Sequence, residues 1–256
     1  MILYFSGTGN SKLVAEKLSI LMKEKLHNLE QGALPALHEQ ERLVLVAPLY
    51  FWTLPSPVLR YLAQHPQLSQ KELHVVMTCG GAMGTGASLI TRQLRCLNFK
   101  KVYVHALVMT TNYIPRHKVQ APEAAAKAIR AALDKLPKIA EDIRRKRGAH
   151  TSSFLEWGLP IFQGMYDKAR HTRHFYVTSR CIGCSKCERD CPSQAIHLLN
   201  GYPKWSEPQC ALCLRCVHRC PAAAIEYGKG TVGKERYRPE RFLPDIAHTR
   251  SNQKEG

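Results

Sequence analysis

The sequence predicts an α/β protein, with a doubly wound parallel sheet in residues 1–150 and a second, smaller α+β domain after it. Up to residue 147, short and almost continuous apolar runs alternate with segments of helical periodicity. This alternation is typical of a parallel sheet that is covered by helices on both faces. Eight of the ten cysteines then fall within residues 181–220, which indicates a separate small unit. A chain of 256 residues is long enough for two modest domains.

The elements of the first domain follow from this pattern in chain order. Strands are predicted at residues 1–5, 42–47, 73–78 and 102–109, with a weaker one near 27–31. Helices are predicted at residues 11–26, 56–64, 87–97 and 122–147. The stretch 31–42 is short and interrupted by proline, so we expect no full helix there. The pairing of the second strand therefore stays open.

A glycine-rich loop directly follows the first predicted strand and precedes the first predicted helix. It reads Ser6-Gly7-Thr8-Gly9-Asn10-Ser11. Parallel sheets bind ligands at the carboxyl ends of their strands, and a helix N-terminus favours an anion. The loop has neither the Gly-x-x-x-x-Gly-Lys of a Walker loop nor the Gly-x-Gly-x-x-Gly of a dinucleotide site. It predicts a phosphate site made of neutral donors; the alternative is a helix start that binds nothing.

This loop resembles the phosphate-binding loop of flavodoxins, Ser/Thr-x-Thr-Gly-Asn-Ser/Thr. The resemblance implies a flavodoxin-like sheet whose six loop residues hold the 5′-phosphate of FMN. Two later loops stand where flavodoxins hold the flavin ring, one with three consecutive aromatic residues and one rich in glycine. The implied ring residues are Pro48, Leu49, Tyr50, Phe51, Trp52 and Thr53 in the first loop, and Thr78, Cys79, Gly80, Gly81 and Gly84 in the second. Which of the three aromatic residues stacks on the ring stays open.

Eight cysteines form two copies of one pattern. The copies are Cys181-x-x-Cys184-x-x-Cys187-x-x-x-Cys191-Pro192 and, 29 residues later (from 181 to 210), Cys210-x-x-Cys213-x-x-Cys216-x-x-x-Cys220-Pro221. Ala195-Ile196 and Ala224-Ile225 repeat at the same offset, so we predict an internal duplication. Three cysteines at this spacing ligate three irons of a cuboidal cluster, and the cysteine before proline serves the neighbouring cluster. The expected 4Fe-4S ligand sets are Cys181, Cys184, Cys187 and Cys220, and Cys210, Cys213, Cys216 and Cys191.

Two other uses of the cysteines fit the sequence less well. Disulfides need an oxidising compartment, and the sequence opens without the basic and apolar regions of a secretory signal, so we expect a cytoplasmic protein. Zinc sites take four ligands from paired Cys-x-x-Cys units and have no use for the third cysteine or the proline. Residues 175–228 resemble bacterial two-cluster ferredoxins. The whole chain resembles the flavodoxin–ferredoxin fusion family, which implies FMN, two 4Fe-4S clusters and electron transfer.

The expected domains are a flavodoxin-like FMN domain at 1–150, an apolar connector at 151–174, a ferredoxin domain at 175–228 and a polar, basic tail at 229–256. The connector is too apolar for a solvated tether. It either packs the two domains together or forms a lid or substrate wall at the flavin. In the tail, Tyr237, Phe242 and Leu243 are candidate docking anchors, and its end is expected to be disordered. Outside the motifs, Cys96 is expected to be a small buried hydrophobe.

The net charge of +17 favours an anionic partner. We find no nucleic-acid-binding motif and no apolar run of the roughly 20 residues that a membrane span needs. The expected partner is therefore an acidic, ferredoxin-like redox protein. We expect an oxidoreductase that couples single-electron exchange with such a protein to two-electron reduction at the flavin, where a small molecule is the acceptor. The alternative is a pure electron carrier without its own substrate.

Overall fold

A five-stranded parallel sheet is the centre of the first part of the chain in the computed structural model, which describes residues 1–32, 34–35, 42–149 and 157–243. Its strands are β1 (Ile2–Tyr4), β2 (Leu26–Asn28), β3 (Arg42–Pro48), β4 (Glu72–Cys79) and β5 (Val102–Val108), in the order β2-β1-β3-β4-β5. This is the doubly wound order of flavodoxins, so the predicted fold class is confirmed. The second strand, whose pairing the sequence left open, lies parallel to β1 with Leu26 opposite Ile2.

Helices cover both faces of this sheet because alternate residues of each strand point to opposite faces. Leu43 and Leu45 of β3 pack in the core under α2 (Ser56–Gln64) and α3 (Gly86–Cys96). Val44 and Val46 pack on the other face, under the remaining helices. These are α1 (Asn10–Met22), α4 (Pro122–Leu133) and α5 (Leu136–Arg144).

The segment 122–147, predicted as one helix, is two helices. The first ends at Leu133 and the second begins at Leu136. Pro137 lies in the first turn of α5, where its missing N–H group costs nothing. In a continuous helix the same proline would remove a hydrogen bond and clash with the preceding turn, which is the physical reason for the break.

The cysteine-rich part of the chain is small and built twice over. Strand β6 (Phe175–Val177) pairs antiparallel with β9 (Ile225–Tyr227), and β7 (Ile196–Leu199) pairs antiparallel with β8 (Tyr202–Trp205). Two short helices complete it, α7 (Lys186–Arg189) and α8 (Arg215–Arg219). We call residues 175–227 the cysteine region and residues 1–149 the sheet region.

The backbone repeats the predicted duplication. Gly183 and Ser185 have φ angles of 65° and 54°, and the residues 29 positions later, Leu212 and Leu214, have φ angles of 49° and 54°. Left-handed φ values are uncommon outside glycine. Two such matches at equal spacing therefore indicate that both copies wind in the same way around their cysteines.

The segments predicted as connector and tail are packed against the rest of the molecule where they are described. The connector contains α6 (Leu159–Ala169), and its Tyr166 hydroxyl donates to the carbonyl oxygen of Ala211 over 2.8 Å. Tyr237, Phe242 and Leu243 are buried in the core formed with α1 and α5. The first part of the predicted connector (150–156) and the end of the tail (244–256), where disorder was expected, lie outside the described residues. Within the described ranges, no helix is long and apolar enough to cross a membrane.

Candidate functional site

A cavity of about 620 Å³ lies at the carboxyl ends of the parallel strands. Its wall brings together the glycine-rich loop and both predicted ring loops, as expected for loops at one edge of a parallel sheet. Most of the predicted FMN residues line it: Ser6, Gly7, Thr8, Asn10, Ser11, Pro48, Leu49, Tyr50, Phe51, Trp52, Thr78, Cys79, Gly80 and Gly81. Gly9, Thr53 and Gly84 do not line the cavity; they contribute to the backbone conformation of the loops that do.

The glycine-rich loop is held by hydrogen bonds to its own side chains. Gly9 precedes α1 with a φ of 123°, which a side chain would disfavour, and its N–H donates to Ser6 Oγ over 3.1 Å. Ser11 Oγ and Thr78 Oγ1 are 2.8 Å apart, which joins the loop to the end of β4. The first N–H groups of α1 have no partner within the helix. The loop therefore offers an anion backbone donors and a helix dipole, while the Ser6 and Ser11 hydroxyls hold the loop's shape.

The first ring loop is a tight turn that projects two aromatic side chains. Tyr50 and Thr53 exchange backbone hydrogen bonds of 3.0 and 2.9 Å. Between them Phe51 and Trp52 both have left-handed φ angles, 48° and 61°, a two-residue turn rarely formed without glycine or asparagine. Phe51 stacks on the ring of Tyr166 with a centroid distance of 5.8 Å. Thr53 thus closes the turn that presents the aromatic residues to the cavity.

The second ring loop approaches its neighbours closely at one glycine. A Cβ on Gly80 would lie 2.8 Å from the Cβ of Thr111, too close for any other residue. Gly84 has a φ of 54° and lies beside Trp52. Neutral donors for a phosphate, aromatic side chains and a glycine loop for a ring are what FMN requires, so the residues present fit this cofactor.

Two further segments line the cavity that the motifs did not indicate. One is the loop after β5, with Thr110, Thr111 and Asn112, and the other is α6, with Met165 and Tyr166. The loop after β5 could have been predicted from the sequence, since polar residues directly follow the last parallel strand. A wall at the flavin was one of the two alternatives for the apolar connector that contains α6, and the sequence left them open because helical periodicity does not say which surface a helix covers.

Each predicted cluster set gathers around its own small cavity. Cys181, Cys184, Cys187 and Cys220 line one of them, and we call these four the outer group. Cys191, Cys210, Cys213 and Cys216 line the other, and we call these four the inner group. Each cavity therefore combines three cysteines of one copy with the cysteine before proline of the other copy.

The donor chemistry of both groups fits a positively charged centre. Burial raises the pKa of Cys210 to about 12 and that of Cys187 to about 11. Burial also raises the pKa of Cys216 well above its usual value, and the neighbouring cysteines raise it further. Thiols gathered at one site ionise together only when metal ions compensate their charge.

The two groups differ in their exposure to solvent. Ile182 in the outer group's loop is 68% exposed and Gly183 is exposed as well. At the equivalent positions of the inner group, Ala211 and Leu212 are buried. The outer group's loop therefore lies at the surface, whereas the apolar residues of the inner group's loop are buried.

The inner group lies directly against the large cavity. Cys213 lines both the inner-group cavity and the 620 Å³ cavity, and Leu212 and Leu214 line the latter beside it. A Cβ on Gly7 would lie 2.8 Å from the carbonyl oxygen of Cys213. One cysteine ligand candidate thus stands between the two predicted cofactor sites, with no intervening element.

His218, to which the sequence assigned no role, lies between the cysteine region and the sheet region. The N–H of Tyr237 donates to His218 Nδ1 over 3.0 Å, so His218 Nε2 carries the proton and donates to the Asn112 carbonyl over 2.9 Å. Burial lowers the pKa of His218 to about 4, although the bond to Asn112 opposes the shift. His218 is therefore a neutral side chain that links the cysteine region to the loop after β5.

The two cysteines outside the motifs differ in their surroundings. Cys79 is buried on the cavity wall, where burial raises its pKa, and its Sγ lies 3.8 Å from the Leu107 carbonyl oxygen. Cys96 is exposed, so its predicted burial is wrong. It is the last residue of α3 and lies two positions after the buried Leu94, about 200° around the helix and therefore away from the buried face.

Comparison with known protein families also divides the chain into a sheet region and a cysteine region. Residues 1–149 match the family model described as a flavodoxin domain, and residues 180–225 match that of a 4Fe-4S dicluster domain. No curated protein matches the chain. The matched ranges contain the large cavity's glycine-rich loop and the eight cysteines.

The chain is also similar to several solved structures. A short-chain flavodoxin associated with a non-canonical PDU bacterial microcompartment is 14% identical, over 56% of this chain and 95% of its own, with a TM-score of 0.39. The two-electron reduced flavodoxin of Megasphaera elsdenii is 19% identical, over 54% of this chain and 96% of its own, with a TM-score of 0.37. A flavone reductase is 10% identical, over 99% of this chain and 92% of its own, with a TM-score of 0.37.

Proposed function

Since the chain belongs to the flavodoxin domain family through residues 1–149 and carries a 4Fe-4S dicluster domain at residues 180–225, we propose that it is an iron–sulfur flavoprotein oxidoreductase. It exchanges single electrons with a low-potential redox protein and carries out two-electron reduction of a small molecule at the flavin. When bound, the clusters supply one-electron chemistry and FMN supplies one- or two-electron chemistry.

The observation that carries this proposal is the position of Cys213. This residue lines both the cavity of the inner group and the cavity proposed for FMN. A ligand shared by two cavity walls leaves no layer of protein to separate the redox centres. We propose two clusters, one on the outer group and one on the inner group, with the inner group as the flavin's neighbour.

The outer group is the proposed contact for the redox partner. Its loop is exposed at Ile182 and Cys184, whereas the apolar residues of the inner group's loop are buried. The formal charge of +17 supports an acidic, ferredoxin-like partner, because opposite charge speeds encounter. The order of centres is then partner, outer group, inner group and flavin, in either direction.

The place of α6 favours an enzyme over a pure carrier. Met165 and Tyr166 of this helix form part of the cavity wall, which gives a substrate a surface to bind beside the flavin. The carrier function is supported by Trp52, which lines the same cavity and is 38% exposed. The edge of a flavin ring beside Trp52 would be open to a protein partner.

We place the protein in the cytoplasm. The ten cysteines all lie within the described residues and form no disulfide. Reducing compartments keep thiols in this state and available to metal centres.

Anaerobic purification with flavin and iron analysis tests the function. We expect one FMN and about eight irons per chain, as two 4Fe-4S clusters require. Cys213→Ser should lose about half of the iron, since it removes an inner-group ligand. Cys96→Ser, at an exposed cysteine outside both groups, should lose none. A protein that contains zinc, or that binds neither flavin nor iron, would contradict the proposal.

Single-turnover kinetics separates the enzyme from the carrier. The pre-reduced enzyme should be reoxidised by small two-electron acceptors with a rate that saturates with acceptor concentration, as binding in a walled cavity requires. A carrier should instead react with proteins and show a linear dependence on small oxidants.

A further inference from the structure

Arg215 lies in the seam between the inner group and the glycine-rich loop. It is the first residue of α8 and precedes the inner-group cysteine Cys216. Its side chain is buried, with 9% of the residue exposed. A buried arginine has to satisfy five N–H donors and compensate one charge, so its partners indicate what it holds.

All five donors have acceptors, and most of these belong to the sheet region. Nε donates to the Gly7 carbonyl over 3.2 Å, and Nη2 donates to the Ser6 carbonyl over 2.6 Å. Both terminal nitrogens donate to the carboxylate of Glu30, with 2.6 Å from Nη1 to Oε2. Nη1 also donates over 2.8 Å to the carbonyl of Asp190, the residue before the inner-group cysteine 191. One guanidinium thus joins both loops of the inner group to the loop proposed for the FMN phosphate.

The charge of this guanidinium is permanent at its site. A guanidinium stays protonated in proteins, and both terminal nitrogens of Arg215 are hydrogen-bonded to the Glu30 carboxylate. Reduction of a cluster adds one negative charge, and a fixed positive charge beside it stabilises the reduced form. Glu30 opposes part of that effect because its carboxylate lies against the same guanidinium.

A second buried arginine, Arg236, makes only structural contacts and can be compared with Arg215. Arg236 is 8% exposed and its Nη2 donates to Glu226 over 2.8 Å. Its other acceptors are the carbonyls of Thr231 and Ile225. None of these partners belongs to the sheet region, so Arg236 stabilises the chain without reaching the glycine-rich loop.

We propose that Arg215 is a positioning residue that holds the inner group against the glycine-rich loop. Its positive charge raises the reduction potential of the inner cluster above that of the outer cluster, and the carboxylate of Glu30 limits the size of this increase. The proposal rests on the proposed function, because it assigns a role towards the clusters and FMN. Electrons that reach the outer group are thereby drawn to the centre beside the flavin.

Redox titration of the holoprotein, monitored by electron paramagnetic resonance, tests this role. Arg215→Met removes the charge and should lower one of the two cluster potentials. Glu30→Gln removes the opposing charge and should raise that same potential, although both substitutions loosen the seam. A purely structural contact would move the potential in the same direction in both variants. Cys184→Ser, which changes an outer-group ligand only, identifies the step that belongs to the outer cluster.

The FMN affinity provides a second readout. Arg215→Met should raise the dissociation constant of FMN about tenfold, because the carbonyls of two loop residues lose charged hydrogen-bond donors. Arg215→Lys keeps the charge but cannot reach all five acceptors, so the inner potential should stay near the wild-type value while FMN affinity falls. Arg236→Met is the matched control and should change neither the inner potential nor FMN affinity.

The outcomes separate the two levels of the proposal. Wild-type protein without flavin and clusters would overturn the proposed function itself. Fully loaded protein in which Arg215→Met and Glu30→Gln leave both potentials unchanged, or shift them together, would overturn only the role of Arg215.

Discussion

Gly7 shows how one residue serves both halves of the molecule. As part of the phosphate motif it is expected to let the loop turn tightly. A Cβ at this position would lie 2.7 Å from the Tyr50 hydroxyl, 2.8 Å from the Cys213 carbonyl oxygen and 3.0 Å from the Cys213 Cβ. The glycine is therefore also required by the close approach of the inner group's loop.

We predict that Gly7→Ala separates the inner group from the flavin site. Overpacking at such a contact costs roughly 1–3 kcal/mol of unfolding free energy, and the displaced loop should slow electron transfer between clusters and flavin. Denaturant unfolding and flash-reduction kinetics measure the two effects. Gly164→Ala, where a Cβ meets nothing within 4 Å, is the control; it should leave the transfer rate unchanged and, because it lies inside α6, raise the unfolding free energy by up to about 1 kcal/mol. Equal transfer rates in Gly7→Ala and wild type would show that the contact is not part of the path.

Helix α6 lies in the segment predicted as the connector and packs against both the first ring loop and the loop of the inner group. Its Phe162 packs on Trp52 with a ring-centroid distance of 5.1 Å, and its Tyr166 hydroxyl bonds to the inner group's loop at Ala211. Ile161, the neighbouring residue, is 68% exposed. The helix therefore contacts the first ring loop and the inner group with one side and faces solvent with the other.

We predict that Phe162→Ala opens the cavity rim. Loss of the contact with Trp52 should cost roughly 2 kcal/mol and make the bound flavin easier to quench with iodide. Ile161→Ala changes an exposed residue of the same helix and should stay within about 0.5 kcal/mol of wild type, without a change in quenching. If both variants quench alike, α6 does not shield the flavin.

On the scale of the whole molecule, positive charge is in excess in both parts of the chain. Residues 1–149, the sheet region, hold 21 Lys and Arg against 10 Asp and Glu, out of 37 and 20 in the full chain. The positive charge of the molecule therefore comes from both parts of the chain, with +11 of the formal +17 in the sheet region. The field of this charge acts over about one Debye length and steers encounter more than it strengthens binding.

We predict that reduction by an acidic ferredoxin slows as salt is raised. Between about 0.01 and 1 M salt the Debye length falls from about 30 to about 3 Å, and the second-order rate constant should fall about tenfold. Stopped-flow kinetics measures it, with an uncharged reductant as the control that salt leaves unchanged. A rate constant that does not depend on salt would exclude electrostatic steering of this partner.

Local patterns predicted most elements, and most of the residues that they proposed for the cofactor sites line shared cavities. Strands and helices appear near the predicted positions because burial on one or both faces is written into each segment's periodicity. These residues could be grouped from the sequence because most of them stand within loops of a few residues, as in 6–11 and 181–191. The burial of Cys96 and the single helix at 122–147 were wrong, since Cys96 lies away from the buried face of α3 and Pro137 lies in the first turn of a new helix.

The sequence by itself determined which cofactors the loops suit, because cysteine spacing and a glycine-rich turn are properties of neighbours along the chain. Only the tertiary structure decided that Cys213 lies on Gly7, that Arg215 reaches Glu30, and that α6 walls the cavity. These contacts join residues far apart in the chain. Their formation depends on how two separately folded parts bury their remaining surfaces, which no local pattern encodes.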